Sequence, residues 1–130
     1  KWIEWSDTMD KLSVQGPGGY DFAMDPGWSD QTVFALGIAF SATEQLDLRA
    51  GFNYAESPID ESTAANNLIL PGIVEDHYTF GMEYRFDHWD LAFHYMYAPR
   101  NSITANSGFP GTVISLKEQS VGVNLGYRWD

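Results

Sequence analysis

Residues 46–59 read LDLRAGFNYAESPI, and the fold turns on how this stretch is read. Leu46, Leu48, Ala50, Phe52 and Tyr54 point one way in strict alternation, and Asp47, Arg49, Gly51, Asn53 and Ala55 point the other. A period of two is that of a β-strand with unlike faces. One face is greasy; the other carries an acid, an arginine and small residues. The greasy face either packs into a water-soluble core or meets lipid.

Working outward, the same period recurs. In TVFALGIAFSA (32–42), Phe34, Leu36, Ile38 and Phe40 oppose Val33, Ala35, Gly37, Ala39 and Ser41. In DHYTFGMEYRF (76–86), Tyr78, Phe80, Met82, Tyr84 and Phe86 oppose His77, Thr79, Gly81, Glu83 and Arg85. WDLAFHYMY (89–97) and SVGVNLGYRW (120–129) repeat the pattern. These are five clear strands, and a sixth, mixed one is expected around WIEWSDTMDKLSV (2–14). No helical periodicity of useful length competes. The prolines at 17, 26, 58, 71, 99 and 110 are read as lying between strands, where a sheet tolerates them.

The connections are of two kinds. ATEQ (42–45) and DH (87–88) are tight turns, whereas 15–27, 56–75 and 98–116 are long and rich in Gly, Pro, Ser and Asn. Outer-membrane barrels segregate their loops in this way, with short turns toward the periplasm and long loops outside. The aromatic residues agree. Phe40, Tyr84, Phe86, Trp89, Tyr127 and Trp129 fall near the short-turn end, and Tyr54, Tyr78 and Tyr97 near the other, with Leu36, Leu48, Met82 and Leu91 between. Two aromatic girdles around an aliphatic band match two membrane interfaces. The greasy face is therefore read as facing lipid. A soluble sandwich or lipocalin-like barrel is the alternative, because alternation alone also fits a one-sided core.

Composition is compatible. The 130 residues suit one domain, 1–130, with no separate second one. The net charge of −11, with only seven Lys and Arg, argues against a nucleic-acid partner. Without cysteine there is no disulfide framework or thiolate chemistry. No apolar run approaches the roughly 18 residues of a membrane helix. The mean hydropathy of −0.29 suits a barrel whose every second residue meets a polar lumen. Opening on KWIEWSD and showing no signal peptide, the sequence reads as a mature protein or an internal piece. The last strand closes on an aromatic residue, Trp129, with Asp130 after it.

Together these residues resemble the FadL-type (OmpP1/FadL/TodX) outer-membrane transporters of long-chain fatty acids and other hydrophobic compounds. The resemblance rests on WSDQTVFALGIAF, LDLRAGFNYAESPI, LPGIVEDHYTFGMEYRF, the opening WIEWSDTM and the closing GYRW. It implies an all-β fold, an antiparallel transmembrane β-barrel. About six of its strands are here, as the C-terminal part of a fourteen-stranded barrel with an internal plug. Six strands are too few for a single-chain barrel, which needs about eight. The remaining strands and plug, from the same or another chain, are thus implied partners. So are outer-membrane lipid and lipopolysaccharide, and a hydrophobic small-molecule substrate. The implied function is passive uptake of such compounds across the Gram-negative outer membrane. The alternatives are a structural or adhesive barrel segment that transports nothing, and a soluble ligand-binding β-barrel.

Two groups are candidates for substrate contact. Arg49, Arg85 and Arg128 all point into the lumen near the short-turn end, beside Asp47, Glu83 and Asp90. They form either a structural ion-pair network or a transient partner for a passing carboxylate. The loop residues Leu68, Ile69, Leu70 and Ile73 are apolar for an exposed segment. They either fold back onto protein or capture substrate. His77 and His94 lie on the lumen face, where ordinary hydrogen bonding is expected of them. No nucleophile motif or metal spacing accompanies them, so no catalytic residue, metal or cofactor is assigned and the chain is not read as an enzyme. The loop acids Asp21, Asp25, Asp60 and Glu61 are read as solvated, divalent-ion bridging to lipopolysaccharide being the alternative.

Overall fold

A computed structural model describes residues 1–9, 11–19 and 21–129. The terminal Asp130 and the side chain of the loop acid Asp21 lie outside what is described. Among the described residues eight strands follow one another: β1 (Trp2–Ile3), β2 (Leu12–Gln15), β3 (Asp21–Met24), β4 (Gln31–Ser41), β5 (Leu46–Ala55), β6 (Asp76–Phe86), β7 (Trp89–Thr104) and β8 (Val113–Tyr127). The helical element among them is one short 3-10 turn, Ala64–Asn67.

Six strands form one sheet in the order β1-β4-β5-β6-β7-β8, and β2 and β3 form a separate hairpin. From β4 onward each strand neighbours the next in sequence, the meander that barrels use. The sheet does not close: β1 and β8 are its two edges. β5 and β6 pair antiparallel with Leu48 opposite Met82 and Phe52 opposite Tyr78. β6 and β7 pair from Tyr78 opposite Tyr97 down to Phe86 opposite Trp89. Asp87 and His88 are therefore a two-residue turn, with Asp87 at φ 45°. A tight hairpin turn needs such left-handed backbone, which Asp tolerates better than most residues.

Three readings are corrected. The span 15–27 contains one strand of the β2–β3 hairpin and the end of the other, rather than only a connection, and 2–14 holds two short strands instead of one. β7 also runs through Pro99 to Thr104, and β8 begins at Val113, which shortens the third connection to 105–112. Pro99 is compatible with extended backbone but has no N–H to give a neighbouring strand.

The chain divides into two compact units. One comprises 34–54, 76–99 and 117–130. It is a strand layer whose large outward residues stay exposed: Phe34, Leu36, Ile38, Phe40, Phe80, Val121, Val123 and Leu125 among them. Each such side chain left in water forgoes about 1.5–3 kcal/mol. A face of this kind requires an apolar surrounding, as the alternation suggests. The other unit comprises 1–33, 55–75 and 100–116 and has its own small core of Ile59, Ala64, Ile73, Ala105 and Ile114.

Candidate functional site

In the strand unit the register gathers the charges on the inner face. Arg85 Nη2 donates to Asp47 Oδ2 at 2.7 Å, and its Nη1 lies 3.4 Å from Glu83 Oε1. Arg49 Nη2 donates to Glu83 Oε2 at 3.0 Å. Glu83 thus links two arginines across β5 and β6, where Asp47 and Glu83 stand directly opposite. Two carboxylates in register would repel, and the guanidinium groups on either side offset that. Arg128 Nη2 lies 3.2 Å from Asp90 Oδ1, and its aligned hydrogen bond goes to the Asp87 carbonyl at 3.3 Å. That pair is coulombic contact without hydrogen-bond alignment, since Asp90 Oδ1 accepts no bond. All three predicted arginines are therefore ion-paired. Arg49 and Arg128 keep more than half of their side chains exposed, whereas Arg85 is more enclosed.

The rest of the inner face is narrow in side chain. Ala35, Gly37, Gly51, Asn53, His77 and Thr79 border one cavity. A Cβ on Gly51 would press on Thr79 Oγ1 at 2.6 Å, and the His94 ring fills the space a Cβ on Gly122 would need. Glycine here is what lets side chains of one strand lie over the next. The hydrogen bonding expected of His77 is incomplete: its Nδ1 is enclosed and has no partner. Asn53 stands directly opposite His77 across β5 and β6, yet neither it nor Thr79 on the same cavity wall bonds that nitrogen.

In the second unit the apolar loop divides. Ile69 is 76 % exposed, with Leu68 and Leu70 also on the surface, while Ile73 is fully buried in the core. The loop is held by a residue the sequence did not flag. Asn67 is fully buried, donates to the carbonyls of Pro26 at 2.8 Å and Thr63 at 2.9 Å, and accepts from Trp28 Nε1 at 2.7 Å. The Trp28 ring in turn lies where a Cβ on Gly72 would stand, 2.9 Å away. Trp28 also packs edge-on against Trp5, centroids 5.3 Å apart. A buried asparagine satisfied on both amide atoms ties two chain segments, 26–28 and 63–67, together. The only sequence signal for it was its place between a tryptophan-rich opening and an apolar loop.

Near the Ser6 turn, Asp30 accepts the Ser6 N–H at 3.0 Å. That bond holds its carboxyl below the usual range. Among the described residues no group of three or more His, Asp or Glu is placed to hold a metal.

Comparison with known proteins places this geometry. The family model for outer membrane protein transport proteins (OMPP1/FadL/TodX) matches residues 1–128. A relative, the 47 kDa outer membrane protein of Pasteurella multocida (strain Pm70), is 27 % identical over 99 % of this chain and 30 % of its own length. The crystal structure of a Pseudomonas aeruginosa FadL homologue superposes with a TM-score of 0.67 at 21 % identity, over 97 % of this chain and 30 % of that one. The chain thus spans about a third of the length of these relatives.

Proposed function

Because the chain belongs to the OMPP1/FadL/TodX family of outer membrane transport proteins, we propose that it is the C-terminal portion of a barrel that passes hydrophobic compounds, long-chain fatty acids among them, across the Gram-negative outer membrane without an energy source. The observation that carries this is the two-faced sheet. Its outer face leaves phenylalanine, leucine, isoleucine and valine exposed, and its inner face carries small residues and ion pairs. That division suits a wall between lipid and a polar lumen. The remaining strands and the plug come from outside this chain.

Within this reading the exposed Leu68, Ile69 and Leu70 capture substrate, and the buried Ile73 and Asn67 fix the loop that presents them. Apolar capture shields a hydrocarbon tail from the polar outer layer, which it would otherwise cross poorly. Arg49 and Arg128, paired yet accessible, can exchange a carboxylate partner for that of a fatty acid. Arg85 is the structural member of the network. No step in this needs bond-making chemistry.

The test uses the full-length protein in vesicles with no energy source. Labelled long-chain fatty acid should enter faster than into empty vesicles and should equilibrate without accumulating. Uptake no faster than the empty-vesicle rate removes the proposal. Replacing Leu68, Ile69 and Leu70 together by serine should raise the substrate concentration needed for half-maximal uptake.

A further inference from the structure

The outward face of the strand unit has a groove of about 290 Å³ bordered by Tyr78, Phe80, Tyr95 and Tyr97. The register explains it: Tyr78 stands opposite Tyr97 and Phe80 opposite Tyr95, so four rings meet in two adjacent rows. The ammonium of Lys117 lies 5.4 Å over the Tyr97 ring. Alternation along β8 puts Lys117 on the same face as Val121, Val123 and Leu125. Of the four Lys and Arg in this unit, the three arginines are paired with carboxylates on the inner face. Lys117 is exposed and has no ion pair among the described residues. The acid that alternation assigns to this face, Asp76, stands opposite Tyr54 on β5 and forms no ion pair with Lys117.

We infer that this groove binds a molecule of lipopolysaccharide, one acyl chain lying against the rings and a phosphate resting on Lys117. The aromatic ring attracts the ammonium by its quadrupole and so holds it at the edge of the groove. An unpaired cation at the edge of an apolar slot complements a lipid that joins phosphate to acyl chain. The end carrying Lys117 is that of the long connections, which face outward. The outward leaflet there is made of phosphorylated, acylated glycolipid. The inference rests on outer-membrane placement and is independent of whether anything is transported.

The full-length barrel is purified in detergent, stripped of lipid, and titrated with lipopolysaccharide, with its dephosphorylated form and with phosphatidylglycerol, lipid per barrel being read by native mass spectrometry. One near-surface charge sets the expected effect: Lys117→Glu should weaken lipopolysaccharide binding about fivefold or more. Lys117→Arg should retain it, and dephosphorylated lipid should bind the unmodified barrel about as weakly as lipopolysaccharide binds Lys117→Gln. Should Lys117→Glu fail to fold, Lys117→Gln supplies the same reading at a smaller loss. Equal binding by unmodified and charge-altered barrels overturns the inference. So does equal affinity for phosphatidylglycerol, which would make the groove an ordinary lipid contact. Neither result bears on the vesicle uptake experiment.

Discussion

The two faces can be told apart one residue at a time. Leu36, 61 % exposed on the outward face, should sit near the middle of the hydrocarbon layer. Arginine there should cost about 2–4 kcal/mol in the intact barrel, because the guanidinium loses water and gains no partner. Phe40 is on the same face nearer the short turn, so Phe40→Arg should be clearly milder, its charge reaching the headgroups. Thr79→Arg, on the inner face, should be the mildest of the three. Urea unfolding of the barrel in liposomes ranks them, and any other order means the faces are misassigned. A different residue governs the loop unit. Asn67→Leu would strand the Trp28 N–H and two carbonyls. A loss of about 3 kcal/mol in that unit is expected, seen as faster proteolysis of 56–75 while the strands resist. The Asp30 carboxyl behaves as a pH gauge. Its pKa is lowered in the folded chain by the Ser6 N–H, so its contribution is present above the ordinary carboxylate value of 3.8 and fades only as pH falls through the lowered value. The Ser6 amide resonance should thus be constant down to about pH 4 and move below it. A midpoint at or above the ordinary value would show that the bond does not form.

At the level of strands, the ion pairs of β5 and β6 make a graded prediction. Arg85 contacts two carboxylates and is about one-third exposed; Arg49 contacts one and is 59 % exposed. Arg49→Gln should cost at most about 1 kcal/mol, and Arg85→Gln more than that, the excess shrinking in high salt. Equal costs would deny Arg85 a structural role. This network was legible in the sequence, because alternation put three arginines and three acids on one face and the short turns brought them level. β4 to β8 were legible for the same reason: one clean face and a period of two. Other parts were not. The 68–74 run is apolar without a period, so nothing in it separates the exposed Ile69 from the buried Ile73; only packing against Ile59, Ala64 and Ala105 does. Asn67 reads as a surface residue by type, and two partners distant in sequence, Pro26 and Trp28, reverse that. The β2–β3 hairpin hides in Gly- and Pro-containing sequence, and β7 passes a proline that usually ends a strand.

For the molecule as a whole, the exposed outward face and the two open edges lead to one expectation. This chain by itself should aggregate without detergent, since unpaired strand edges and apolar faces recruit one another. A monodisperse, cooperatively melting monomer in plain buffer would rule out the membrane reading. The face that meets lipid is set by phase, and the Asp87–His88 turn sets the phase between β6 and β7. One extra residue in that turn would shift β7 by a single position. Trp89, Leu91, Phe93, Tyr95 and Tyr97 would then turn inward, and Asp90 and His94 would turn into hydrocarbon. Two extra residues would restore every side chain to its side. Insertions and deletions at this turn are therefore tolerable only in even steps, while the segment 56–75, which no single turn keeps in phase, can change length one residue at a time.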